Sequence, residues 1–333
     1  MGKESEKGIE ELIKKLEKDR KSRVILYFTG DKQPVEQFGT LIAPDVLPHF
    51  KEILEKIKHA KKISLVLNTN GGRLEAPWPL VNLIREYCDS FEVIIPEKAL
   101  SAGTLIALGA DKIVMLPYSY LSPIDPATEI FDDQKKQVKR IEIEDIIGYI
   151  DFAKDKIGIA EQSALAEVMK ELVKEIGPTL LGSINRTHSL IRKLSLKMLY
   201  LHNGKLAEKQ IKEITEHLTQ KLYSHKHLIN REEAKEIVGF GNIIEFGRGE
   251  TKEIIDSIFL FFVELFELRE EFNPLTVIGE GSKADYALTR AAICSADFKY
   301  YFNSQYKMVK IPDPAGNQQI RIDNYKNKWE LIK

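Results

Sequence analysis

Between Arg23 and Leu116 the chain alternates short apolar runs with amphipathic stretches, and this alternation restricts the fold more than any other feature of its 333 residues. RVILYFT at 23–29, the run at 63–68, FEVIIP at 91–96 and KIVML at 112–116 read as strands. They are β-branched or aromatic, and Gly, Asp or Pro bounds them. Between them, Val46, Leu47, Phe50, Ile53, Leu54 and Ile57 recur at helical spacing, and helices are expected again at 74–87 and 102–109. Strands that are apolar throughout are covered on both faces, and helix-containing connections join parallel neighbours through right-handed crossovers. The expectation is an α/β fold with a mainly parallel sheet, preceded by a helix carrying Ile9, Leu12, Ile13 and Leu16 on one face.

Beyond Pro126 the pattern changes. Strand-like runs nearly vanish, and helices are expected to dominate to about residue 270. Ala164, Leu165, Val168, Met169, Leu172, Val173 and Ile176 form one apolar face that a Gly177-Pro178 turn ends. Further helices are expected at 184–201, 206–222, 231–238 and 250–268. From Pro274 a helix near 284–294 and strands at 299–302, 308–311 and 319–322 predict a small α+β C-terminal appendage. The division expected is an N-terminal helix at 1–22, a main domain at 23–245 with a helical insertion at about 130–222, and a C-terminal part at 246–333.

Charge narrows the partners. Lys plus Arg at 49 balance Asp plus Glu at 50, so no net field draws nucleic acid or an anionic membrane. The longest apolar run, 258–263, falls far short of the ~20 residues that span a bilayer. The charged N-terminus lacks the apolar core of a signal peptide. A soluble cytoplasmic protein is expected, with no nucleic acid, no membrane span and no cofactor. Cys88 and Cys294 show no metal-ligand or CxxC spacing and are expected to be buried and free.

Two short motifs carry the chemistry. NTNGG at 68–72 and ALSAG at 99–103 each end a predicted strand just before a helix. In an open parallel sheet, such loops converge at one edge, where ligands bind. Paired glycines let a substrate approach peptide N–H groups, and first-turn helix donors favour an anion. Ser101 would then be the nucleophile beside an oxyanion site. Taken singly, a Gly-Gly pair is a turn and a serine before a helix is an N-cap.

The stretches LVLNTNGGRLEAPWPLVNLI and VIIPEKALSAGTLIALGADKIVMLPYSYLSPIDP resemble the Clp-protease and signal-peptide-peptidase group of serine peptidases, in the serine dehydrogenase proteinase branch. The resemblance covers residues 23–245, weakens in the helical part and returns at LYSHKHLINREEAKEIVGFG. It implies a crotonase-like βαβ spiral and a serine peptidase working through a Ser101 acyl-enzyme. Gly72, 29 residues before Ser101, and Ala102 would be the oxyanion donors, with Gly71 shaping the loop and Gly103 permitting the tight helix start. The relatives it points to act on peptides or unfolded proteins, assemble as homo-oligomers and in some cases work with a separate ATPase.

The general base departs from that pattern. Where Clp-type peptidases carry a histidine after the serine, this chain reads Ser122-Pro123-Ile124-Asp125-Pro126. His225 with Asp125 would be one base-orienter pair, since imidazole accepts a proton near neutrality. Lys139 is the alternative, as in a Ser-Lys dyad, and would need desolvation. Each also has a plainer reading: an Asp-Pro turn, a surface histidine, a lysine on a solvated face. Two other functions stay open. One is a crotonase-like enzyme acting on an acyl-thioester, and the other is a catalytically silent module that binds peptide as an added strand. IGEGSKAD lacks P-loop spacing, GFGNIIEFGRGE reads as a Gly-rich turn, and His225 with His227 would suit a metal only on a strand, so no metal site is expected.

Overall fold

The structure is a computed structural model that describes residues 3–124, 127–132, 137–202, 204–222, 224, 227–237, 239–312 and 318–332. Helix α1 (Lys3–Arg20) leads into β1 (Arg23–Thr29), then α2 (Leu47–Ile57), β2 (Ala60–Asn68), α3 (Pro77–Arg85) and β3 (Cys88–Ile95). A two-residue strand β4 (Lys98–Ala99) precedes α4 (Ala102–Leu108), β5 (Lys112–Met115) and the short β6 (Tyr120–Leu121). β1, β2, β3 and β5 are neighbouring parallel strands, as the alternation predicts.

Strand pleating divides the apolar residues between two cores. Ile25, Tyr27, Leu65, Leu67, Val93 and Ile95 face α2, α3 and α4, where Tyr27 meets Phe50 edge to face with centroids 5.6 Å apart. Leu26, Phe28, Val66, Ile94 and Val114 face the other way, onto Ile9, Ile13 and Leu16 of α1. A strand can read as apolar throughout only because both faces are covered. At its N-terminal end the sheet is tied to α1 by Arg20, whose Nη2 lies 2.5 Å from the buried Glu92 and whose Nη1 lies 3.0 Å from Glu245.

The middle of the chain departs from expectation at one place. A hairpin of β7 (Ala127–Asp132) and β8 (Gln137–Glu142) stands where the helical insertion should begin, with Phe131 opposite Val138 and Ile130 opposite Lys139. Within QVKRIE the apolar residues are Val138 and Ile141, three apart, so no period-two alternation marks the strand in the sequence, and its pairing with β7 decides it. Helices then follow as α5 (Ile143–Asp151), α6 (Gln162–Ile176), α7 (Pro178–Tyr200) and α8 (Glu208–Glu216). Gly177, at φ 86°, makes the turn that the sequence predicts between α6 and α7. The later part of α7 buries Ile191, Leu194, Met198 and Leu199 in the core that also holds α4. Among the described residues, no helix is long and apolar enough to cross a membrane.

β9 (Ile229–Asn230), α9 (Arg231–Glu236) and β10 (Ile244–Phe246) return the chain to the sheet, β10 pairing parallel to β5. α10 (Gly249–Leu265) packs on α1, stacking Phe262 on Phe28 with centroids 4.0 Å apart, and α11 (Pro274–Ile278) follows. The segment predicted as a helix near 284–294 is a strand, β11 (Lys283–Cys294), antiparallel to β1 from Leu26↔Cys294 to Thr29↔Ala291. Its Ala-Leu content favours helix, but intrinsic propensity is a weak prior. Ala291, Ala292, Ile293 and Cys294 instead fill a position buried on both faces beside β1. The predicted short strands are parts of long ones, β12 (Lys299–Pro312) and β13 (Gln318–Ile332). The C-terminal residues therefore extend the main sheet, in the order β10-β5-β3-β2-β1-β11-β12-β13, and β13 lies at its outer edge. Cys88 and Cys294 are both buried, and neither forms a disulfide.

Candidate active site

The carboxyl ends of β2 and β4 lie side by side. The Thr69 N–H donates to Lys98 O at 2.9 Å, and the Leu100 N–H donates back to Thr69 O at 3.1 Å. This pairing brings the two sequence motifs together. Gly71 has φ 101°, and a Cβ there would lie 2.7 Å from Leu100 O and 3.0 Å from the Ser101 Cβ. Glycine is the residue that lets this loop rest against the serine. Gly72 bridges Ile42 in parallel: the Ile42 N–H donates to Gly71 O and the Arg73 N–H to Ile42 O, both at 2.8 Å. In such a bridge the central residue's own N–H points away from its partner, so that of Gly72 faces away from Ile42.

Ser101 occupies φ 49°, ψ −109° at the start of α4. A residue with a Cβ held there stores of order 1–3 kcal/mol of strain. The surroundings hold it in place. The Ser101 N–H donates to Ser122 Oγ at 2.7 Å, the Gly103 N–H donates to Leu100 O at 2.8 Å, and Thr104 Oγ1 lies 2.8 Å from Ala99 O. All seven residues of α4 are buried, so the turn stands on a rigid support. Ser101 takes the N-cap position, yet its side chain makes no capping hydrogen bond. The plain reading of this serine as a cap is therefore set aside, and its half-buried hydroxyl is left to other chemistry. Ala102 follows as the first residue of the helix, with a first-turn N–H and its nitrogen 3.4 Å from where a Gly71 Cβ would stand. A Cβ on Gly103 would come within 2.6 Å of Thr69 Cγ2, so this glycine serves close packing of α4 on the end of β2.

The proposed proton acceptors are placed less directly. Asp125 and His225 lie outside the described residues. Lys139 stands in β8 opposite Ile130, and its side chain lies outside them too. The segments next to Asp125 and His225 do meet: β6 pairs parallel to β4 and antiparallel to β9, with Ala99 opposite Leu121 and Leu121 opposite Ile229. The Ile124 N–H donates to Leu218 O at 2.8 Å. His227, treated in the sequence only as half of a metal pair, has Nε2 2.7 Å from Glu233 Oε1.

Several residues of the site have no role assigned from the sequence. Ser122 holds the Ser101 N–H and is itself buried. Asn68 Oδ1 accepts the Glu97 and Lys98 N–H groups at 3.2 and 3.0 Å. Asp31, just past β1, accepts from Asn70 and Lys98. Burial pushes the Asp31 carboxyl upward, but the hydrogen bonds from Lys98 and Asn70 outweigh it and hold the group below the usual carboxylate range. A polar residue in NTN or EKALS is the kind of signal that could have found Asn68, Asn70 and Lys98. Nothing local marks Asp31.

The opposite end of α4 rests on His202, which is 1% exposed. Its Nε2 lies 2.9 Å from Leu108 O and must carry the proton, since a carbonyl only accepts. Nδ1 is then an unprotonated nitrogen, buried with no partner among the described residues. Burial holds this imidazole below its ordinary range, with the Leu108 carbonyl pulling the other way. The unfolded chain therefore binds a proton that the folded one refuses below ~pH 6.5. The stabilising contribution is complete above that pH and falls as pH drops toward the folded value. Urea midpoints should decline from pH 7 to pH 5, and His202→Gln, which can still donate to Leu108 O, should flatten part of that decline. An unchanged slope in the variant would refute the assignment.

Residues 2–175, just over half the chain, match the family model described as ClpP-like SDH-type serine proteinase. Two uncharacterized proteins of Methanocaldococcus jannaschii are similar. One is 28% identical over 230 residues, covering 68% of this chain and 70% of the relative. The other is 29% identical over 180 residues, covering 49% and 57%. Among solved structures, a membrane-bound stomatin-specific protease aligns over 64% of this chain and 78% of its own at 16% identity and a TM-score of 0.39. A ClpP1 variant from Listeria monocytogenes aligns over 72% and 98% at 18% identity and a TM-score of 0.35. Scores this low carry no argument about function, and the family match is what bears on it.

Proposed function

Because this chain belongs to the family of ClpP-like SDH-type serine proteinases, we propose that it cleaves peptide bonds through an acyl-enzyme on Ser101. The observation that carries the reading is the seat of Ser101: a strained turn at a helix start, its hydroxyl not used as a cap, and Gly71 pressed against it. In the proposed reaction Ser101 Oγ attacks the scissile carbonyl and loses its proton to a base. The N–H groups of Gly72 and Ala102 hold the oxyanion of the tetrahedral intermediate. Collapse breaks the C–N bond, the base returns the proton to the leaving amine, and water then hydrolyses the ester.

The peptide would lie along 71–73 as an added strand, on the side of Gly72 that faces away from Ile42. His225 with Asp125 is the proposed base pair, and Lys139 the alternative. Peptide or unfolded-protein substrates and a separate ATPase partner belong to the same proposal, as does a homo-oligomer. Support for the last comes from exposed Tyr149, Phe152, Ile157 and Met169 on the helical region, which subunit contacts would cover. An acyl-thioester reaction would use the same N–H donors without the serine, and the uncapped, strained Ser101 speaks against it.

The test is reaction of the full chain with a fluorophosphonate, mapped by peptide mass, alongside burst kinetics on an activated ester. Labelling at Ser101 is expected, and the burst should collapse in either His225→Ala or Lys139→Ala. A protein that binds peptide but takes no label is a silent binding module, and the proposal is then wrong.

A further inference from the structure

We propose that Asp31 is a positioning residue for this reaction, holding the Gly71–Gly72 loop and the Ser101 loop in register, an inference that rests on the peptidase reading above. A single carboxylate oxygen joins the two halves of the site. Asn70 Nδ2 donates to Asp31 Oδ2 at 2.8 Å, and Lys98 Nζ donates to the same atom at 2.7 Å. Asn70 immediately precedes Gly71, and Lys98 lies three residues before Ser101. Three separate strand ends, those of β1, β2 and β4, thus meet at one side chain.

The need for such a tether follows from the glycines. A Gly-Gly pair has little conformational preference of its own, so flanking contacts must impose the direction of the Gly72 N–H. On one side the Ile42 bridge does this. On the inner side, the Gly71 N–H donates to Thr69 Oγ1 at 3.1 Å, and Thr69 is itself bonded to Thr29 Oγ1 at 2.9 Å. Neither contact relates the loop to the serine's strand through side chains at the solvent end of the site. The Asn70–Asp31–Lys98 bridge does, and its charge-assisted bonds are the stronger kind.

The bridge is only half-buried, with Asp31 at 24% and Lys98 at 22% exposure. An ion pair so exposed contributes little to global stability. Its removal should therefore register in the chemical step and leave unfolding nearly unchanged. Misplacing reacting groups by even about 1 Å costs on the order of a hundredfold in rate.

The experiment compares wild type, Asp31→Ala, Asn70→Ala and the double variant of the full chain. The readings are the second-order rate of fluorophosphonate labelling at Ser101, kcat and KM for a peptide substrate, and the thermal midpoint. Each single variant should lose roughly ten- to a hundredfold in labelling rate and kcat, with KM held within about twofold and the midpoint within a few degrees. The double variant should be no slower than the slower single, because both changes cut one tether. Asp31→Asn, which keeps an oxygen for Asn70 but loses the charge, should fall between. Wild-type labelling rates in Asp31→Ala, or a loss that tracks a lowered midpoint, overturn the inference and leave the peptidase reading standing. If Asp31→Ala does not fold, Asn70→Ala decides on the same terms. A wild-type protein that takes no label at Ser101 overturns both.

Discussion

Ser101→Ala is expected to abolish acyl-enzyme formation and to cut kcat/KM by at least about a thousandfold, since removing the nucleophile of a serine peptidase takes away nearly all of its covalent catalysis. The fold should not suffer. The Ser101 hydroxyl makes no capping bond, and its backbone N–H keeps Ser122 Oγ as acceptor in the variant. Alanine carries the same Cβ into the same strained turn, so the thermal midpoint should stay close to that of the wild type. Active-site titration, peptide hydrolysis and thermal unfolding read these effects separately. Full activity on an acyl-thioester in Ser101→Ala would instead favour chemistry that needs only the oxyanion donors.

Gly72→Ala is expected to damage both activity and structure. A Cβ at this position would lie 2.1 Å from Ile42 O, 2.4 Å from Ile42 N and 2.7 Å from Ile42 Cα. These are backbone atoms in a bridge, so the strain cannot be relieved by rotating a side chain. The bridge must open, at a cost of roughly 1–3 kcal/mol by analogy with overpacked interiors. Opening it turns the Gly72 N–H, and loss of one oxyanion donor costs about 10²–10³ in kcat. Steady-state kinetics and urea unfolding on the same sample give both values. A variant with a lowered midpoint and wild-type kcat would show that the Gly72 N–H holds no oxyanion.

The parallel half of the sheet was legible because its signals are local. Strands β1, β2, β3 and β5 each announce themselves by an apolar run, and the helices between them by spacing. The pairing of Gly71–Gly72 with Ser101 was legible for the same reason: each motif ends a strand, and parallel strands present their ends together. β11 was not, because Ala291 and Ala292 favour helix in isolation and become strand only against the open edge of β1. Asp31 was invisible on other grounds. Its partners stand 39 and 67 residues away, and no pattern within a short window can report a contact made by three strand ends. The base assignments rested on Asp125, His225 and Lys139, whose side chains lie outside the described residues. What the structure does describe is the flanking chain of two of them: β6 ends four residues before Asp125 and pairs with the serine's strand β4, and β9 begins four residues after His225 and pairs with β6.

The outer strand β13 bears on how copies of this chain can meet. It runs for fifteen residues along the border of the sheet and carries Asp323, Lys326, Lys328 and Glu330, with Lys326, Asn327 and Lys328 exposed. Charged side chains on a border strand discourage another strand from docking there. Sheets of two molecules are thus kept from fusing along this rim, and a growing fibre has no ready template on it. On the proposed peptidase reading, a visiting peptide strand would then add at the short border beside Gly72 rather than along this rim.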